Sequence, residues 1–145
     1  MKKLLFLGLF IFSALFSGAQ TETERAKAKV AVEDWTARYS LNASQIEKAN
    51  AIQLQKMANI AEVEAAVQTS GMTEDVQLKK MVALNEGAIS SLALSFNQSQ
   101  KVIYNQQRSL LRKALNTAHV TLKNTASSST DFERNLLKLK SEFVW

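Results

Sequence analysis

The chain has 145 residues, with 18 Lys and Arg against 13 Asp and Glu, one His, no Cys and no Pro. The length suits one modest domain. The absence of cysteine excludes a disulfide framework, and a formal charge of +5 is too small to argue for nucleic acid by itself. With no Pro and only 4 Gly, the composition permits long uninterrupted helices.

In chain order, Lys2 and Lys3 precede an apolar run from Leu4 to Phe16, and Ser17-Gly18-Ala19 follows with small residues. This predicts a secretory signal peptide over 1–19, cut after Ala19, and hence a periplasmic address. A retained anchor is the weaker reading, because the run falls short of the ~20 residues that a spanning helix needs. No Cys follows for lipid attachment, and removing Lys2 and Lys3 leaves 16 cations against 13 acids.

The first expected helix covers Glu22 to Tyr39, with Ala28, Ala31, Trp35 and Tyr39 on one face. The phrase LNASQ, Leu41 to Gln45, reads as the start of a second. Asn42 is an N-cap, Gln45 at the third helical position completes a capping box, and Leu41 can staple onto Ile46. This helix runs to about Val67. Its stripe is Ile46, Ala49, Ile52, Met57, Ile60, Val63 and Val67, interrupted by Gln53 and Glu64, which argues against a deep dry core along its length. Thr69-Ser70-Gly71 ends it, with Gly71 suited to a left-handed cap. Thr73 caps a third helix whose first turn holds Glu74 and Asp75; Val76, Val82, Leu84, Ile89 and Leu92 carry its apolar content.

FNQSQ, Phe96 to Gln100, repeats the earlier phrase. Asn97 takes the cap and Gln100 the third helical position, with Val102 or Ile103 as staple partner for Phe96. The fourth helix, Gln98 to about Asn124, has Ile103, Leu110, Leu111, Ala114, Leu115, Ala118 and Leu122 on its apolar face. Its opposite face holds Lys101, Asn105, Arg108, Arg112, Asn116, His119 and Lys123. From Asn97 to Asn124 there are five cations, Lys113 included, and no acid. Residues 125–130 read as a linker. Thr130 and Glu133 form a third capping box, opening a short helix within 131–145. Phe143-Val144-Trp145 either packs back on the bundle or stays exposed; packing is favoured, since contiguous exposed apolar surface is uncommon without a purpose.

The basic face is either an ordinary solvated surface or a surface for acidic or amphipathic partners, with Lys101, Arg108, Arg112 and Lys123 as the binding residues. His119 is the only histidine and reads as a surface residue. With no second His, no Cys and no loop of suitably spaced acids, no metal site is expected. No nucleophile–base pair or phosphate loop stands out, so neither an enzyme nor a cofactor is expected. The fold class expected is all-α, with four to five helices.

The doubled phrase resembles the Spy/CpxP-like periplasmic proteins, marked by a Leu-Thr-x-x-Gln motif occurring twice. LNASQ keeps Leu and Gln with Asn42 in place of Thr; FNQSQ has Phe96 and Asn97 in place of Leu and Thr. The lead-in from Glu24 to Gln45 is also similar to the first helix of such proteins. The resemblance covers roughly residues 22–124. It implies a thin, elongated helical hairpin arrangement, an antiparallel cradle-like homodimer, and two motifs at helix starts lying close in space. It makes Leu41, Asn42, Gln45, Phe96, Asn97 and Gln100 structural. It also implies ATP-independent holdase activity on unfolded or misfolded envelope proteins. The alternatives are a regulator docking on an envelope sensor protein, or a structural dimer with no client. The zinc-binding branch lacks support here, because His-rich and Cys-containing segments are missing.

Overall fold

The computed structural model describes residues 21–125 and 128–145, and the expected signal peptide lies outside them. The described residues form five helices and no strand: α1 Glu22–Tyr39, α2 Ala43–Ser70, α3 Glu74–Ala93, α4 Gln98–Thr125 and α5 Ser129–Ser141. The fold is all-α. At 1.5 Å per residue, the 28 residues of α2 and of α4 each span about 42 Å. Helix α1 packs on α2, α2 on α3, α5 on both α3 and α4, and α4 also on α1.

Local chemistry sets most of the boundaries. Thr21 and Glu24 form a capping box that starts α1. Helix α2 runs three residues past Val67, and in its last turn the Thr69 and Ser70 hydroxyls donate back to the Ala65 and Ala66 carbonyls. Gly71 then stops it at φ 66°. Thr73 occupies the cap of α3, but its side chain makes no capping hydrogen bond. Helix α5 begins earlier than Thr130 and Glu133 suggest. Ser128 accepts from the Asp131 amide at 3.1 Å and donates to its carboxylate at 2.8 Å. Two overlapping cap phrases lie there, and the upstream one is the cap; within α5, Phe132 meets His119 and Arg134 meets Asp75.

The two repeated phrases meet in space and lock together. Asn42 and Gln45 form one capping box, Asn97 and Gln100 the other. The Gln45 and Gln100 amides then pair reciprocally, each Nε2 donating to the other's Oε1 at 2.9 Å. The second hydrogen of Gln45 Nε2 goes to the Ser95 carbonyl at 2.8 Å. That of Gln100 Nε2 reaches the Tyr39 carbonyl at 3.1 Å and the Ser40 carbonyl at 3.3 Å. Each amide oxygen also accepts from its own cap's backbone N–H. Every donor and acceptor of the buried pair is therefore used. Ser40 adopts φ 51°, a left-handed turn that lets α1 end where Gln100 can bind its last carbonyls.

The main core surrounds this lock. Leu41 and Phe96, which precede the two caps, are buried with Val32, Trp35, Tyr39, Ala49 and Ile89. Ile103, not Val102, packs beside Phe96's cluster, while Val102 remains 49% exposed. Tyr39 stacks on Phe96 at 4.9 Å between ring centroids. The distal α2–α3 hairpin is thinner, with Val63 and Val82 its buried residues.

Three expectations about faces are corrected. Gln53 does not interrupt the buried side of α2; it is 1% exposed and lies inside that side. On α4, Leu110 is 53% exposed, and Gln107 takes the inward position, where its amide oxygen accepts from Arg38. On α1, Val32 joins the buried face and Ala31 is only half-buried.

Two outcomes follow from the core. Gln45→Leu or Gln100→Leu alone should cost about 2–4 kcal/mol in denaturant unfolding, because each strands buried partners. The double variant should cost less than the sum by about 1–2 kcal/mol; strict additivity would mean that the amide pair is not a unit. Tyr39 is buried with an unpartnered hydroxyl, and burial pushes its pKa up to about 12, against a smaller opposing effect of Arg38. A raised native pKa adds stability below the unfolded value near 10 that is lost as pH rises toward 12. Tyr39→Phe should therefore gain about 1 kcal/mol at neutral pH and unfold less steeply between pH 10 and 12. Superimposed pH–stability curves for the two proteins would contradict this.

Candidate functional site

The lock fixes both the start and the rotation of α4. Its inward stripe runs through Gln100, Ile103, Gln107, Leu111, Ala114, Ala118 and Leu122, buried or half-buried at intervals of three and four. The rotation that buries this stripe turns Lys101, Arg108, Arg112 and Lys123 outward, and all four are exposed. Val102 and Val120, 49% and 66% exposed, lie five turns apart beside the cationic stripe.

None of these four cations has an ion-pair partner among the described residues. Two causes combine. Helix α4 carries no acid of its own, and several acids elsewhere are engaged by other bases. Arg134 of α5 binds Asp75 at 2.8 Å and Glu74 at 3.6 Å, and Lys138 binds Glu74 at 3.0 Å. The first-turn acids of α3 thus clamp α5 in place. The Asp75–Arg134 hydrogen bond holds the Asp75 carboxyl below its ordinary range and raises Arg134.

The structure divides the expected binding residues. Arg108 and Arg112 open onto a groove of about 360 Å³ between α3, α4 and the segment after α5. Lys140 of α5 joins them there as a third cation, and Glu86 of α3 is the acid on its wall. The apolar lining is Tyr104, Leu111, Leu115 and Trp145. Arg108 lies 5.8 Å from the centroid of the Tyr104 ring, and Tyr104 is 6.2 Å from the Trp145 ring. Lys123 instead borders a separate recess with His119, Leu122 and Phe132, where the His119 and Phe132 rings meet edge to face at 5.0 Å. Lys101 lines neither.

Phe143-Val144-Trp145 packs back on the bundle. Trp145 is 8% exposed and meets Phe143 at 5.2 Å. Arg38 donates to the Val144 carbonyl at 2.9 Å, and Asn85 of α3 donates to the Ser141 carbonyl at 2.9 Å. Lys56 of α2 donates to Asn85 at 3.2 Å, and burial lowers its pKa. The inclusion of Lys140, Glu86 and Trp145 in the groove was not readable from local sequence. Only the apolar character of residues 143–145 hinted that this segment would dock.

Among the described residues, no three of His, Cys, Asp and Glu gather into a metal-holding group. No described helix is long and apolar enough to cross a membrane. Compared with family models, with curated proteins and with solved structures, the chain matches none.

The Asp75–Arg134 pair generates a pH dependence for α5. A depressed native carboxyl pKa contributes stability above the unfolded value, and that contribution is lost as pH falls through the native value. In a Trp35→Phe background, Trp145 emission should shift to the red on acidification below the ordinary carboxylate range. Arg134→Gln should bring that shift to higher pH. Coincident titrations would show that α5 docking does not depend on the pair.

Proposed function

We propose that this protein is an exported, ATP-independent holdase that binds unfolded or misfolded envelope proteins, a Spy/CpxP-like relative acting as a homodimer. The observation that carries this reading is the exposed face of α4. Lys101, Arg108, Arg112 and Lys123 stand there without ion-pair partners among the described residues, next to exposed Val102 and Val120. Unpaired surface charge speeds encounter with acidic segments over distances up to a Debye length. Apolar contacts then retain the segment, and binding the unfolded state withdraws it from aggregation. The interlocked capping phrases support the family assignment, because they make the repeated motif a structural device at two adjoining helix starts.

The test is light scattering of a chemically unfolded protein diluted into buffer without ATP, with and without the chain from Gln20 onward. Suppression should appear near stoichiometric ratios and weaken at high salt. Arg108→Glu with Arg112→Glu should need about fivefold more protein for the same suppression at low salt, with helicity unchanged by circular dichroism. Absence of suppression at every ratio would overturn the holdase reading. A single saturable envelope partner would then identify the regulator.

A further inference from the structure

The groove between α3, α4 and the segment after α5 is chemically distinct from the rest of the basic face. Arg108 and Arg112 enter it from α4, and Lys140 enters from α5, thirty-two residues after Arg108. None of the three is ion-paired among the described residues. Glu86 supplies one negative charge on the wall, so the groove carries an excess of two positive charges. Its apolar side is made of two aromatic rings and two leucines: Tyr104 with Trp145, and Leu111 with Leu115. Leu111 and Trp145 are already 6% and 8% exposed, so the groove is built on the packed core.

We infer that this groove is a subsite for one acidic side chain and a neighbouring aromatic side chain of an extended polypeptide. The inference rests on the holdase reading for the kind of ligand and adds its side-chain preference. The charge calls for a carboxylate, and Arg108 and Arg112 offer planar donor forks suited to one. The rings favour an aromatic neighbour, which gains contact beyond simple burial. At about 360 Å³ the volume lies near the lower limit of ligand pockets, too small for a folded element and adequate for a short stretch of chain. A bare inorganic anion would leave the ring side unused. A run of phosphates would meet Glu86. An acid beside an aromatic residue uses both walls and leaves Glu86 free to disfavour strongly acidic runs.

Fluorescence anisotropy of labelled peptides against the full chain tests this. Three probes share a Gly/Ser framework and differ only in a central Asp-Phe, Asn-Phe or Asp-Ala pair. The Asp-Phe peptide should bind at least about fivefold more tightly than either of the others at low salt. Lys140→Glu, which leaves the α4 face intact, should weaken Asp-Phe binding about fivefold. Ser90 of α3 also lines the groove, its Oγ 3.4 Å from the Tyr104 hydroxyl, and Ser90→Leu, which fills the groove from that wall without changing charge, should weaken binding as well. Lys80→Glu, outside the groove, should leave it within twofold. Equal binding of the Asp-Phe and Asn-Phe peptides, or unchanged binding by both Lys140→Glu and Ser90→Leu, overturns the inference. Suppressed scattering with equal peptide binding would leave the holdase reading standing and remove the groove from it. Peptide discrimination without suppressed scattering would do the reverse.

Discussion

The reciprocal amide pair of Gln45 and Gln100 is the constraint on which the rest of the structure depends. A buried primary amide has two donors and an acceptor with two lone pairs, and any left unmet costs free energy. Here each amide satisfies its own helix cap, its partner and the carbonyl end of the segment that leads into the partner's helix. Glutamate would supply the acceptors but not the donors. Asparagine would be one methylene shorter and could not span from cap to partner. The requirement is therefore for glutamine at both third helical positions, and the two positions are 55 residues apart.

From that lock the hierarchy runs outward. With the first turns of α2 and α4 held side by side, Leu41 and Phe96 are driven into one core, and the α1 end must deliver its carbonyls through the left-handed Ser40. The rotation of α4 is then set along its length, because a helix is stiff and its faces repeat every 3.6 residues. The inward stripe takes Gln107 and leaves Leu110 outside, since Gln107 can accept from Arg38 while Arg38 also holds the Val144 carbonyl. The last helix adds a clamp of different chemistry, in which Arg134 and Lys138 engage the first turn of α3.

Charge segregation follows from the same arrangement. Glu74 and Asp75 serve two purposes at once: they suit the positive start of α3, and they bind α5. Committed there, they are unavailable to α4, which has no acid of its own. The cations of α4 are left to solvent and to whatever acidic surface approaches, and the proposed role in holding unfolded chains draws on that unmatched charge.

Local order was legible in the sequence wherever neighbouring residues decide it. The two Asn-x-x-Gln caps, the Gly71 stop, the period of α4 and its acid-free face all follow from short-range hydrogen bonding and helical geometry, which need no knowledge of the fold. Tertiary structure decided what depends on residues far apart in the chain. It decided where the second amide hydrogens of Gln45 and Gln100 go, and that Gln53 lies within a packed face instead of breaking it. It decided that Ser128, not Thr130, caps α5, and where Phe132 and Arg134 of that helix find their partners. It also brought Lys140 to Arg108 and Arg112 across Trp145. Periodicity reports which residues share a side of one helix; which side is buried, and what charge stands across a groove, is settled only when the helices pack.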